Sequence, residues 1–247
     1  MRLDQYLVEK AYVQTRSKAT DLIKRQCVLV DGRLARKPGM DIINESITII
    51  NDQAYVGRGA WKLLGAIETF SLDFKDKIVI DVGASTGGFT DVALRHGASL
   101  VYAYDVGSQQ LDPTLRSDPR VRVFEQTNFL DVNIPLADII VIDVSFISIT
   151  AILNHIQGFK GLIVGLIKPQ FEAGPIHMKK GVLKDVKKHQ SIIKSVVHHA
   201  NHLGLYVYGI MASTIKGKKG NQEYIIVMDG TLKDAVNLDK TIEDITC

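Results

Sequence analysis

The sequence predicts an α/β protein, a doubly wound and mostly parallel sheet preceded by a small basic α+β unit. Three observations carry this. The first is Ile78-Val79-Ile80-Asp81-Val82-Gly83-Ala84-Ser85-Thr86-Gly87-Gly88-Phe89-Thr90, a β-branched run and a glycine-rich turn, followed by Asp91-Val92-Ala93-Leu94-Arg95 in helical pattern. Strand, tight turn and helix in that order make the first βα unit of such a sheet, and ligands bind at its turn. The second is that successive apolar runs end in Asp81, Asp105, Asp143 and Lys168. Strand C-termini of an open α/β sheet share one ligand-binding rim. The third is charge. Residues 1–40 hold nine Lys/Arg against four Asp/Glu, a net of +5; the whole chain carries +3, so the other 207 residues sum to −2. A small basic unit on a near-neutral body points to a nucleic-acid-binding module attached to something else.

Composition sets the outer limits. At 247 residues the chain can hold one large or two modest domains. It is 46% hydrophobic and 23% charged, which is ordinary for a globular protein. No apolar run approaches the roughly 20 residues that span a membrane. The start, Met1-Arg2-Leu3-Asp4-Gln5-Tyr6, has no apolar signal core. Two distant cysteines, Cys27 and Cys247, suggest free thiols in a reducing cytoplasm and argue against a cysteine metal site.

In chain order, Leu3, Tyr6 and Leu7 fall at helical spacing and predict a short amphipathic helix. Thr15 or Ser17 caps a second helix. Its apolar face is Ala19, Leu22 and Ile23, and Arg16, Lys18, Lys24 and Arg25 lie outside. Val28-Leu29-Val30 runs into an Asp31-Gly32 turn, a pair suited to the positive φ angles of a type I′ hairpin. Ile47-Thr48-Ile49-Ile50 reads as another strand. This order, with Arg2-Leu3-Asp4-x-x-Leu7, Thr15-Arg16-Ser17-x-Ala19-x-x-Leu22-Ile23 and Lys37-Pro38-Gly39, resembles the S4 RNA-binding domain. Gln26 stands where that family usually has glycine. The resemblance implies that Arg16, Lys18, Lys24 and Arg25 track RNA phosphates, which gives salt-sensitive affinity with little sequence preference. The expected division is an S4-like domain at 1–50, a linker at 51–58 and a catalytic domain at 59–247.

In the second domain Lys62 sits early on a helix continuing through Leu63, Leu64, Ala66, Ile67 and Phe70. Strands follow at 78–82, 100–105, 121–125, 137–143 and 161–168, then a helix at 190–202 and strands at 205–210 and 224–228. Alternation of strands and helices implies a parallel sheet, here with one antiparallel strand at the end. The turn reads Asp-x-Gly-x-x-x-Gly-Gly, from Asp81 to Gly88. That is neither the dinucleotide fingerprint nor a P-loop, since no Lys-Ser/Thr pair follows. It resembles the first motif of S-adenosylmethionine (SAM) dependent methyltransferases. An acid at the strand end suits a cationic amino-acid moiety better than a phosphate. Asp105 lies at the distance where an acid takes the ribose hydroxyls of a bound nucleoside.

Several blocks together resemble the TlyA, or haemolysin A, family. They are Tyr55-x-x-Arg58-Gly59-x-x-Lys62-Leu63, the 81–91 turn, Tyr104-Asp105-Val106-Gly107, Asp143-Val144-Ser145-Phe146-Ile147-Ser148, Lys168-Pro169-Gln170-Phe171-Glu172-Ala173-Gly174 and Gly220-Asn221-Gln222-Glu223-Tyr224. The resemblance reaches to about residue 228 and extends to FtsJ-type ribosomal RNA 2′-O-methyltransferases, with a Rossmann-like sheet. It implies a catalytic set of Lys62, Asp143, Lys168 and Glu223. It implies a SAM site made of Asp81, Gly83, Ala84, Ser85, Thr86, Gly87, Gly88 and Phe89 at the methionine end, Asp105 and Val106 at the ribose, and Asn128 at the adenine edge. The basic loop Lys216-Gly217-Lys218-Lys219, with Arg58, is expected to contact RNA. Lys168 is the candidate general base. A lysine is mostly protonated at neutral pH, so a like charge such as Lys62, or burial, has to free its lone pair. Asp143 and Glu223 work the other way, and Lys168 can instead steer the oxygen electrostatically. The expected partner is ribosomal RNA or a ribosomal subunit, with a cytidine of the large subunit favoured.

Two other classes stand against this reading. One is a membrane-active haemolysin; the other is an RNA-binding protein with an inactive methyltransferase fold. The complete Lys62, Asp143, Lys168 and Glu223 set argues against the second. His198, His199 and His202 share helical spacing but lack an evident fourth ligand for zinc, so no metal is expected. The tail after Asp229 carries no readable signal.

Overall fold

In the computed structural model the chain forms two compact units, Met1–Arg58 and Gly59–Cys247. The structure describes residues 1–24, 27–31, 33–35, 37–43, 45–49, 55–57, 59–173, 182–217, 220–234 and 236–246, with the side chains of Asp21, Lys24 and Arg33 excepted.

The first unit pairs α1 (Leu3–Glu9) and α2 (Arg16–Lys24) over a small antiparallel sheet of β1 (Val28–Val30), β2 (Arg33–Leu34) and β3 (Ile47–Ile49), in the order β2-β1-β3. Leu3, Leu7, Ala19, Leu22, Ile23 and Val28 form its core, as the helical spacing requires. Thr15 Oγ1 accepts the Lys18 N–H at 3.2 Å, so threonine is the cap. Val30 pairs with Arg33 across a two-residue loop, and Asp31 has φ +49°.

The second unit is a seven-stranded sheet flanked by helices. Its elements are α3 (Ala60–Phe70), β4 (Ile78–Val82), α4 (Gly88–Arg95), β5 (Leu100–Tyr104), α5 (Pro113–Arg116), β6 (Val121–Phe124), β7 (Ile139–Ile142), α6 (Ile149–His155), β8 (Leu162–Ile167), α7 (Pro169–Glu172), α8 (Val186–His202), β9 (Tyr206–Ala212), β10 (Tyr224–Asp229) and α9 (Asp239–Thr246). The order is β6-β5-β4-β7-β8-β10-β9. Strands β4 to β8 are parallel, and β10 is antiparallel to both its neighbours. The antiparallel strand is therefore one in from the edge rather than at it. The short 213–223 connection folds β10 straight back on β9, and the pair joins the sheet through β10. The four central strands read as continuous apolar runs because both faces are covered. Leu238 and Ile242 of the unexplained tail are buried, and α9 packs on α8 and β9.

This topology sets the site. Asp105, Asp143 and Lys168 each follow the last residue of a parallel strand. Since β10 runs the opposite way, its first residues reach the same rim. Tyr224 pairs with Ile167, which brings Glu223 beside Lys168.

Candidate active site

Four charged side chains, separated by up to 161 positions in sequence, form one alternating chain. Lys168 Nζ lies 2.5 Å from Asp143 Oδ1. Asp143 Oδ2 lies 3.4 Å from Lys62 Nζ, and Lys62 donates to Glu223 Oε2 at 2.8 Å. Glu223 Oε1 accepts from Gln170 Nε2 at 3.0 Å. Lys62, Lys168, Gln170 and Glu223 are all buried, so this is a network shielded from solvent at the end of the sheet. Buried charges survive only when paired and hydrogen-bonded, and two lysines against two carboxylates leave no net charge. Burial alone lowers the pKa of the Lys62 ammonium. The charges of Asp143 and Glu223, and the hydrogen bonds to both, outweigh burial and leave it above its ordinary value.

Lys168 has further partners. Its Nζ donates to Ser145 Oγ at 3.0 Å and to the Asp143 carbonyl at 3.4 Å, and the Phe171 ring centroid lies 5.9 Å away. The 144–148 loop that carries Ser145 is clasped from the Lys168 side. Glu172 accepts the Ile149 N–H at 2.9 Å and the Ser148 hydroxyl at 2.5 Å. Next to Ser145, Phe146 has φ +68° and is 91% exposed, with its ring 5.1 Å from that of Phe171. A bulky residue in the left-handed region at a rim is a strained arrangement that marks functional loops. Gln170, Ser145, Phe146 and Glu172 lie within the blocks that resemble the TlyA family, but no spacing or charge pattern marks them out.

The glycine turn sits against this network. Gly83 has φ +84°, and a Cβ there would meet the Asp143 carbonyl oxygen at 2.9 Å. Gly87 has φ +98°, and its Cβ position is occupied by Leu115 and Leu111. At these two positions protein atoms, rather than a ligand, exclude a side chain. Gly83 and Ala84 both donate their N–H to the Tyr104 carbonyl. Ser85 and Thr86 are exposed, while Gly87, Gly88 and Phe89 are buried. Asp105 accepts the Ser85 N–H at 2.8 Å and the Gly107 N–H at 2.7 Å, tying the two loops together. Val106 beside it is 74% exposed.

Other assigned residues have local duties that the sequence did not show. Asp81 lies within β4 and is fully buried. Its Oδ2 accepts from Thr90 Oγ1 at 2.7 Å. Burial, against the Thr90 hydrogen bond and with the Asp143 charge, pushes its carboxyl up to about 7. Asn128 caps the turn Phe129–Asp131, accepting the Leu130 N–H at 3.2 Å and donating to Asp131 at 3.2 Å. In the first unit, Arg16 donates to Asp4 Oδ2 at 2.8 Å. Hydrogen bonds from Arg2 and Arg16 hold that buried carboxyl well below the usual range. Arg16 is thus a structural partner of Asp4 as well as a candidate RNA contact. Lys18 and Lys216 are exposed. Arg25, Arg58, Lys218 and Lys219, and the side chain of Lys24, lie outside the described residues.

Among the described residues, no group of three His, Cys, Asp or Glu is placed to hold a metal, and no helix is long and apolar enough to cross a membrane. His199 Nε2 lies 2.8 Å from Asn154 Oδ1.

A glycine turn after the central strand, with acids and a paired lysine network on one rim, defines a Rossmann-like methyltransferase. Comparison with known proteins sharpens this. Residues 55–229 match the FtsJ-like methyltransferase family and residues 1–42 the S4 domain. Hemolysin A of Brachyspira hyodysenteriae is 39% identical over 239 residues, covering 91% of this chain and 98% of that protein. The 16S/23S rRNA (cytidine-2′-O)-methyltransferase TlyA of Mycobacterium tuberculosis is 39% identical over 237 residues, covering 91% and 88%. A solved structure described as a hemolysin, from Streptococcus thermophilus, superposes with a TM-score of 0.76 at 35% identity, covering 100% and 94%. The chain belongs to the TlyA, or hemolysin A, family of FtsJ-like methyltransferases with an S4 domain.

Proposed function

We propose that this protein transfers a methyl group from SAM to the ribose 2′-oxygen of a cytidine in ribosomal RNA. The observation that carries the reading is the chain Lys168–Asp143–Lys62–Glu223, buried at the rim beside the glycine turn. The activity named for the TlyA relative supports ribosomal cytidine as the target.

The turn region fits this cofactor. Asp105 presents a partly exposed carboxylate between two backbone donors, suited to ribose hydroxyls, and exposed Val106 offers an apolar surface to a base. Asp81 Oδ1 is buried without a hydrogen-bond partner beneath the same turn. Asp81, Ser85 and Thr86 would hold the methionine end, Asp105 and Val106 the nucleoside, and Asn128 the adenine edge. The bound cofactor supplies an electrophilic methyl on a sulfonium.

The chain's own residues then align and deprotonate a ribose hydroxyl, a poor nucleophile. Lys62, clamped between two carboxylates, stays charged and fixes Asp143. Asp143 in turn holds Lys168, the candidate final acceptor of the ribose proton. The Phe171 ring lies beside Lys168, and the exposed Phe146 ring packs on Phe171; such a ring suits stacking of an unpaired base, which is how proteins bind single-stranded RNA. Lys18, Arg16 and Lys216 would contact phosphates, along with Lys24, Arg25, Arg58, Lys218 and Lys219. Such a substrate puts the protein in the cytoplasm.

The test is transfer of labelled methyl from SAM to each ribosomal subunit isolated from cells lacking this protein, followed by digestion to map the sugar. Label in one 2′-O-methylcytidine supports the proposal, and the subunit carrying it decides between small and large. SAM binding without transfer to either subunit sinks it. Lysis of red cells by the purified protein without SAM would favour the membrane-active alternative.

A further inference from the structure

We infer that Ser145 is a catalytic residue, relaying the ribose proton to Lys168; this rests on the methyl-transfer reading above. Three oxygens surround Lys168 Nζ: it donates to the Asp143 carbonyl and to Ser145 Oγ, and it is ion-paired with Asp143 Oδ1. The Phe171 ring lies over it as well. As an ammonium, Lys168 donates to the Asp143 carbonyl and to Ser145 Oγ, and its charge faces Asp143 Oδ1. To accept a proton it has to be the free amine, with two N–H groups and one lone pair. The carboxylate and the carbonyl of Asp143 carry no proton to give and repel a lone pair, so neither can face it. The lone pair is then left to Ser145, the one partner whose oxygen can also donate.

Exposure points the same way. Lys168 is 6% exposed, whereas Ser145 is exposed on the rim beside Phe146. A ribose arriving from solvent meets the serine oxygen before the amine. The ribose oxygen bonds to the methyl carbon as the carbon–sulfur bond breaks, and the sulfur keeps that electron pair. The 2′-hydroxyl proton passes to Ser145 Oγ, and the proton Ser145 already carried passes to Lys168 Nζ. Ser145 ends neutral and Lys168 ends as an ammonium held by Asp143.

Threonine and valine are nearly the same shape and differ in the hydroxyl, so Ser145→Thr and Ser145→Val form the test pair. Ser145→Thr retains most of kcat. Ser145→Val loses about 10²-fold or more in kcat, the lower end of what general-base assistance supplies, with KM for RNA changed little. Calorimetric SAM affinity matches the parent in both, which shows each variant folded. A second readout needs no turnover. Ribosomal RNA ligated to carry 2′-deoxycytidine at the mapped position is compared with the 2′-hydroxyl RNA for binding without cofactor. The parent and Ser145→Thr prefer the hydroxyl by about five-fold, the worth of one hydrogen bond, and Ser145→Val shows no preference. Equal kcat for the Thr and Val variants, or an unchanged hydroxyl preference in Ser145→Val, overturns the relay while leaving the enzyme reading intact. A parent protein that transfers no methyl at all overturns the reading beneath it instead.

Discussion

Replacing Lys62 by methionine tests whether the charge chain is the keystone of the rim. Methionine closely matches the four-atom apolar stem of lysine and lacks the ammonium. That ammonium lies 2.8 Å from Glu223 and 3.4 Å from Asp143, and its side chain is 9% exposed. Its loss leaves Glu223, which is 3% exposed, with Gln170 alone, and turns a neutral cluster into one of net −1. Removing one partner of a buried ion pair costs about 3–5 kcal/mol. For a unit of 189 residues, Gly59–Cys247, the lower figure is a fall of roughly 10 °C in Tm. Differential scanning calorimetry of the intact chain, following the larger transition, measures it. The double variant Lys62→Met/Glu223→Gln restores neutrality. It is expected to be less destabilised than the sum of the singles by about 2 kcal/mol, as for contacting residues that share one network. A Lys62→Met protein melting within 1 °C of the parent would refute the reasoning. So would a double variant whose loss equals that sum.

Three further outcomes are expected. Glu172→Ala unclasps the 144–148 loop; kcat falls at least ten-fold while calorimetric SAM affinity holds, and Tm drops by the equivalent of about 1 kcal/mol, the usual worth of a helix cap. Asp81, pushed from 3.8 to about 7 by burial, keeps its proton in the folded state where the unfolded chain loses it. Stability from this group is therefore full below pH 4 and declines as pH rises to 7, by up to about 4 kcal/mol in total. Urea melts of the SAM-free protein from pH 4 to 8 should show this decline in the parent and not in Asp81→Asn. Lys18→Ala is expected to weaken binding to ribosomal RNA and to reduce the slope of log affinity against log salt by about one, measured by filter binding at several salt concentrations.

What the sequence made legible was whatever is encoded locally. A β-branched run ending in an acid and a glycine turn is a complete local message, and it located Asp81, Asp105, Asp143 and Lys168 from strand period alone. The same rule is silent on what surrounds those residues. Asp81 is read as facing a cationic ligand, and only the structure shows that one of its oxygens accepts from Thr90 and that the whole group is buried. Arg16 and Asn128 carry side chains whose local partners, Asp4 and the Leu130 N–H, lie too far away or too irregularly placed to show in a spacing pattern.

Glu223 marks the sharper limit. A rule that looks for acids at strand C-termini passes over it, because it stands at the start of a strand. Only the reversal of β10 brings a strand start to the rim where the others end, and that reversal depends on how β9 and β10 pair rather than on residues near 223. Family resemblance supplied Glu223 where periodicity did not. Gln170 and Ser145 lie in the same blocks, and no period or charge pattern marks them out. Their significance exists only once Glu223 needs a second donor and Lys168 an acceptor besides the Asp143 carbonyl, and both needs arise from packing four charges in a place with little water.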